Sequence, residues 1–196
     1  RVEYLKDIDE SANDLNEIIH DLLDVGIGGI NGDNFSVDLS EVIDIEDVVR
    51  RSVKLNKDYA IRRGVVIDVE VSEDVSLINL DLKRMKQILS NLISNSVKYS
   101  PEQTKIKIRA KDILIDEDRY LEITVSDQGF GMTGEQIEYA FEKYKTIENP
   151  NTKKVDSFGL GLPIVKKLVE LQKGKIVVKS EPNKGTDFML KFPYMM

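Results

Sequence analysis

"QILSNLISNSVKYSP", Gln87 to Pro101, reads as an amphipathic helix with an uncommon polar side. Ile88, Leu89, Leu92, Ile93 and Val97 fall on one face at helical spacing, which is the pattern of a face turned to a core. Asn91, Asn95 and Lys98 lie within about 60° of each other on the other side, at 100° per residue. Helix interiors disfavour asparagine, because its amide competes for backbone hydrogen bonds. Two amides and an ammonium in a row therefore call for a reason. An amide oxygen is a hard, neutral ligand suited to Mg²⁺, which also keeps waters and phosphate oxygens. A lysine one turn on holds a phosphate as a point charge. A merely solvated face is the alternative, and the stripe alone leaves both open.

Three glycine-bearing stretches further along add to it. "SDQGFGM" (Ser126–Met132) leaves a strand through D-x-G-x-G. Its glycines let the backbone approach a ligand, and its aspartate can accept from an exocyclic amine such as that of adenine. A tight turn closed by an Asx bond is the alternative. "SFGLGLPIVKKLVE" (Ser157–Glu170) runs from Gly159 and Gly161 straight into a helix with Pro163 in its first turn. Free N–H groups and the helix dipole make such an entry a ready anion site, although a plain N-cap loop reads the same way. In "NKGTDFMLKF" (Asn183–Phe192), Gly185 and Thr186 open a strand.

The remaining chain frames these stretches. Its 196 residues are 41% hydrophobic and 32% charged, enough apolar material for a core and too much for a disordered chain. A net charge of −7 argues against nucleic acid as the main partner. With no cysteine there is neither a disulfide framework nor a thiolate zinc site. No apolar run approaches the roughly 18 residues of a membrane helix. No signal peptide is visible, and the first residue is Arg1, which points to a fragment of something longer.

Val2, Leu5, Ile8, Ala12, Leu15, Ile19 and Leu22 trace a coiled-coil-type seam over Val2–Val25, a helix in want of a partner helix, with a helix that packs on its own domain as the alternative. "GIGGINGDN" (Gly26–Asn34) ends it in a hinge. A helix is expected from about Asp44 to Arg63, capped near Ser40 and stopped by Gly64. Strands are expected at Val65–Val71, Ile78–Leu80, Thr104–Ala110, Tyr120–Asp127, "KIVVKS" and "TDFMLKF", with "KDILIDEDR" as an acidic loop. "GEQIEYAFEKY" and "LPIVKKLVELQ" read as helices, the second stopped by Gly174. Mostly antiparallel hairpins with three longer helices between them indicate an α+β, two-layer α/β sandwich.

In this order and at this spacing the four stretches resemble the ATP-binding catalytic domain of sensor histidine kinases, within the GHKL ATPase superfamily with its Bergerat fold. "NLISNSVKYS" is similar to the N box, "DQGFGM" to the G1 box, "FEKY" to the F box, "GLGL" to the G2 box and "GTDF" to the last glycine–threonine box. The resemblance covers roughly Asp44 to Pro193. It implies Mg²⁺ on Asn95 and a supporting polar contact from Asn91. It implies phosphate contact from Lys98 and a place for Tyr99 beside the nucleotide. Asp127 would read the adenine amine, with Thr186 nearby through water. Gly129 and Gly131 would allow adenine to approach, and Met132 would be a further ATP-binding residue. Thr133 to Phe158 would be an ATP lid carrying Tyr144 and Lys145, with Lys143, Lys153 and Lys154 as further phosphate contacts. Gly159, Leu160, Gly161 and Leu162 would close over the phosphates.

The same resemblance divides the chain into residues 1–30, the second helix of a dimerisation and phosphotransfer hairpin plus its linker, and residues 31–196, the catalytic domain. The phosphoacceptor histidine with its H box is absent. The sole histidine, His20, sits in "IIHDLLD", a polar position near a helical seam. Ser157 and Phe158 stand where the family has small residues, which bears on lid mobility, and "GIGGING" is richer in glycine than the usual connection. The implied activity is that of a bacterial two-component histidine kinase, binding Mg·ATP and donating the γ-phosphate to a histidine elsewhere. Its implied partners are the phosphoacceptor helix of the same or a partner subunit, a response-regulator receiver domain and a second copy in a homodimer. The implied location is the cytoplasm, or the cytoplasmic part of a membrane-bound sensor. In superfamily ATPases that hydrolyse ATP, such as gyrase and MutL, a glutamate at the first N-box position is the general base. Asn91 stands there in this chain, and an amide cannot take that proton. A nucleotide-binding scaffold of pseudokinase type, acting through dimer contacts, is the alternative that nucleotide affinity would separate.

Overall fold

The structure is a computed structural model that describes residues 36–145 and 159–194. The expectations for the helix at Val2–Val25, the hinge at Gly26–Asn34, His20, Lys153, Lys154, Ser157 and Phe158 lie outside the described residues.

Within them the order is β1 (Val42–Ile43), α1 (Ile45–Arg62), β2 (Val66–Val71), β3 (Ile78–Asn79), α2 (Leu82–Lys98), β4 (Lys105–Ile115), β5 (Asp118–Ser126), α3 (Gly134–Ala140), α4 (Gly161–Leu171), β6 (Lys175–Glu181) and β7 (Gly185–Pro193). Strands β2-β4-β5-β7-β6 form one five-stranded sheet. The β2–β4 pairing is parallel and the other three are antiparallel. The short β1–β3 pair is a separate ribbon, and β1 was not foreseen because two residues carry no readable period.

The core lies between the sheet and the helices. Ile88, Leu89, Leu92, Ile93 and Val97 of α2 are completely buried, as their spacing predicts, and meet the buried sheet residues Ile106, Ile108, Leu121, Ile123, Val125, Leu190 and Phe192 in one apolar cluster. Helix α2 is set between α1 and α4. Its N-terminus is fixed by Asp81, whose carboxylate accepts from the Arg84 N–H at 2.9 Å. The fully buried Gln172, at the end of α4, accepts from the Asp81 N–H at 2.9 Å. This one amide ties the start of α2 to the end of α4.

Three local expectations are corrected. Asp44, not Ser40, caps α1, accepting from the Glu46 N–H at 2.9 Å. The acidic "loop" is mostly strand. Strands β4 and β5 run on to Ile115 and from Asp118, and the chain reverses through Asp116 and Glu117, both at positive φ (50° and 73°). A two-residue turn with both φ positive matches strand twist, and acidic residues hide the alternation that would reveal it. The far end of this hairpin is tied down by Asp112, which accepts from Arg119 Nη2 at 2.5 Å and from the Tyr194 hydroxyl at 2.6 Å. Finally, α3 stops at Ala140 rather than running through "FEKY".

Candidate functional site

Asp127 directly follows β5 and is the best-connected polar group of the site. Its Oδ1 accepts from the Gly129 N–H at 2.9 Å and the Thr186 N–H at 3.0 Å. Its Oδ2 accepts from the Ser96 hydroxyl at 3.1 Å. The Asx bond to Gly129 is thus real, and it occupies only one of the two oxygens. A carboxylate oxygen accepts about two hydrogen bonds, so Oδ2 retains one open direction. Burial raises the Asp127 pKa above the ordinary 3.8 against the opposing pull of its three donors, and nearby Asp187 adds to the rise.

The glycines around it are where backbones meet. A Cβ on Gly129 would stand 2.6 Å from the Tyr99 carbonyl oxygen, which accepts from the Phe130 N–H at 3.2 Å. Gly131 has φ +63° and its missing Cβ would run into the Glu181 carbonyl. Gly185 has φ +96° and lies against the Asp127 carbonyl. The G-x-G loop, the end of α2 and the β6–β7 turn therefore close on one another with no room for side chains. Met132 N–H donates to Ser180 Oγ at 2.8 Å, and Ser180 Oγ lies 2.9 Å from the Thr186 hydroxyl. Tyr99, Asp127, Gly129, Gly131, Met132 and Thr186 are brought together as one wall.

The α2 stripe makes the neighbouring wall. Asn95 Nδ2 is 3.6 Å from where a Cβ on Gly161 would be, so the stripe and the first turn of α4 face each other. Leu160 and Gly161 open α4 with no side-chain cap, which leaves its first N–H groups available to an acceptor. Leu160 is buried in the apolar cluster and Leu162 packs against it, so these two anchor the loop. Asn91 Nδ2 is buried with no hydrogen-bond partner among the described residues. Turned over, the same amide presents its oxygen. Among the described residues no group of three or more His, Cys, Asp or Glu is placed to hold a metal ion. The ligand on offer beside Gly161 is the neutral amide of Asn95, which fits Mg²⁺ only in company with phosphate oxygens and water.

Lys98 sits in the last turn of α2 and is buried at 8% exposure, with its carbonyl accepting from Arg63 Nη2 at 3.2 Å. Tyr144 and Lys145 meet Gly159 and Tyr139. The Tyr144 N–H donates to the Gly159 carbonyl at 3.1 Å, and the Lys145 ammonium lies 4.4 Å from the centre of the Tyr139 ring. Gly159, at φ +63°, is pressed against the Lys145 backbone. Sequence reasoning missed Ser96 and Ser180. Ser96 stands in the N-box stretch beside Asn95 and was open to notice. Ser180 lies in a strand outside every recognised stretch, and only the β6–β7 pairing brings it to Thr186.

Residues 80–195 match the family described as "Histidine kinase-, DNA gyrase B-, and HSP90-like ATPase". Among relatives, the autoinducer 2 sensor kinase/phosphatase LuxQ of Vibrio vulnificus is 30% identical over 97% of this chain and 22% of its own length. The sensor protein GacS of Pseudomonas syringae is 29% identical over 97% of this chain and 21% of its own length. The chain thus spans about a fifth of these two relatives. Among solved structures, full-length ShkA in complex with AMPPNP superposes with a TM-score of 0.76 at 26% identity, covering 99% of this chain and 39% of that one. The catalytic domain of histidine kinase ThkA shares the fold, with a TM-score of 0.66 at 23% identity over 82% of this chain and 97% of that one. With the family match covering more than half of its length, the chain belongs to the histidine kinase-, DNA gyrase B-, and HSP90-like ATPases, as an ATP-binding catalytic domain of the sensor histidine kinase kind.

Proposed function

We propose that this chain binds Mg·ATP in the angle between the Asp127 wall and the Asn91–Asn95–Lys98 stripe, and donates the γ-phosphate to a histidine outside it. The observation that carries this reading is the junction of α2 and α4. The Asn95 amide faces the uncapped first turn of α4, and one turn earlier on α2 the Asn91 Nδ2 is buried with no hydrogen-bond partner among the described residues. Asp127 Oδ2 would accept from the adenine amine, with Thr186 beside it. Gly129 and Gly131 would let the base lie against backbone, bordered by Met132 and Tyr99. The N–H groups at Gly161 and Leu162 and the Lys98 ammonium would take the phosphates, with Lys143 and Lys145 reaching in from the lid. Asn95 would ligate Mg²⁺ and Asn91 would hold a metal-bound water or a phosphate oxygen. When bound, Mg²⁺ neutralises phosphate charge and orients the group to be transferred. The chain's own share is positioning and charge stabilisation. Asn91 supplies no general base for water, which favours transfer over hydrolysis.

By this reading residues 31–196 are the catalytic domain, and residues 1–30 belong to a dimerisation hairpin whose other helix carries the phosphoacceptor. The partners are then that helix, a second copy of the full-length chain and a response-regulator receiver domain on the cytoplasmic side. No helix among the described residues is long and apolar enough to cross a membrane.

Asn95→Ala tests the site. Calorimetric titration should show tight Mg·ATP binding by the wild type, and at least about tenfold weaker Mg-dependent binding by the variant, with an unchanged circular dichroism spectrum. Equal affinities would remove Asn95 from the metal site.

A further inference from the structure

Two hydroxyls in the Asp127 wall have their protons directed by their surroundings. Ser180 Oγ has one hydrogen and two lone pairs, and three neighbours within hydrogen-bond distance. The Met132 N–H, at 2.8 Å, can only donate. The Gly185 carbonyl, at 2.9 Å, can only accept. The Ser180 proton therefore goes to Gly185, and one Ser180 lone pair goes to Met132. The third neighbour is the Thr186 hydroxyl at 2.9 Å, which can serve either way. With the Ser180 proton committed, Thr186 must be the donor of that bond. Its remaining capacity is acceptor only.

Ser96 orients Asp127, whose carboxylate is an acceptor in its own right. It is 1% exposed and donates to Oδ2 at 3.1 Å, while Oδ1 is saturated by the N–H groups of Gly129 and Thr186. The carboxylate is held in one rotamer with a single open lone pair. The two groups that face the site from β5 and β7 thus both present acceptors.

We propose that Ser96 and Ser180 are specificity residues: the Ser96 hydroxyl holds the Asp127 carboxylate in place and the Ser180 hydroxyl fixes Thr186 as an acceptor, so that the site takes a purine bearing an amine and turns away one bearing a carbonyl at the same position. The inference rests on the ATP reading of the site and adds to it what sets the polarity of base recognition. A carbonyl oxygen set against two acceptors finds no donor. A site of fixed polarity discriminates through that mismatch far more strongly than one whose hydroxyl can turn.

The test is calorimetric titration of the whole chain with Mg·ATP, Mg·GTP and the Mg complex of purine riboside triphosphate, which lacks the amine. The wild type should rank ATP well above both others. Ser180→Ala frees the Thr186 proton to turn outward, and the GTP-to-ATP ratio of dissociation constants should fall about tenfold. Ser96→Ala loosens the Asp127 carboxylate and should narrow the gap between ATP and the amine-free nucleotide. Ser180→Thr and Ser96→Thr keep the hydroxyls and should restore the wild-type ratios. If Ser180→Ala does not fold, Ser96→Ala carries the test, because removing one buried hydroxyl there leaves every backbone bond of the wall in place. Alanine variants that weaken all three nucleotides by one common factor, or that leave every ratio at the wild-type value, would overturn the proposal while leaving the ATP site standing. A wild type that binds no nucleotide would overturn the ATP reading itself.

Discussion

Replacing Asp127 with asparagine separates what the residue does for the fold from what it would do for the nucleotide. The amide oxygen would keep both N–H bonds, from Gly129 and Thr186. The new NH₂ would donate to Ser96 Oγ, which need only turn its proton away. The fold should therefore survive. Ligand-free stability should rise at neutral pH, because burial, the largest cause, raises the native pKa of Asp127 above 3.8. A raised native pKa means that the folded state binds the proton more tightly than the unfolded one. That contribution is fully present below pH 3.8 and lost as pH rises through the raised native value, and the uncharged amide escapes the loss. ATP affinity should fall by about 1.5–3 kcal/mol, the worth of a hydrogen bond to a charged acceptor. Thermal melts with and without Mg·ATP read both effects. A variant that melts higher alone yet gains less from ATP than the wild type is the expected outcome; normal ATP stabilisation would make Asp127 a turn residue only. On the wild type, ATP affinity should begin to weaken on acidification at a higher pH than an ordinary carboxyl would give.

In the proposed site, helices α2 and α4 would carry the two halves of the phosphate side, and Gln172 ties one to the other. Its side chain accepts from the Asp81 N–H at the start of α2, and its amide lies on the Leu168 carbonyl at 3.3 Å and the Met85 sulfur at 3.6 Å. Gln172→Ala removes the acceptor for Asp81 and opens a small void, and should cost about 2–4 kcal/mol of stability. If this tie also sets the alignment of α2 on α4, its loss reaches the nucleotide. Mg·ATP affinity should fall although Gln172 lies at the far end of α4 from Gly161, and Gln172→Met, which refills the volume without the acceptor, should recover less affinity than stability. Chemical denaturation and titration on the same samples check this. Affinity that tracks stability in every variant would show that the bond acts on stability alone.

For the whole molecule, the proposed division between ATP-binding domain and phosphoacceptor helix makes a prediction about labelling. Its single histidine, His20, lies in "IIHDLLD" and not in an H box. Incubation with γ-labelled ATP and Mg²⁺ should leave no base-stable, acid-labile phosphate on this chain. Addition of a separate fragment bearing a phosphoacceptor helix should place label on that fragment, and Asn95→Ala should abolish it. Stoichiometric label on His20 would overturn the assignment of the leading segment.

By itself, the sequence determined the alternation of elements, the buried face of α2 and the four glycine- and asparagine-bearing stretches, because each is a local pattern of period, punctuation or spacing. Ile88 to Val97 could be placed in the core from helical geometry alone, and the D-x-G-x-G turn from its glycines. Only the tertiary structure decided what those stretches meet. The parallel pairing of β2 with β4, the reversal at Asp116–Glu117 and the β1–β3 ribbon depend on partners far along the chain or on too few residues to show a period. Ser180 reaches Thr186 only through the β6–β7 register, and Ser96 reaches Asp127 only because α2 packs against the end of β5. A hydroxyl carries one proton, and where that proton points is fixed by neighbours that no window of sequence contains.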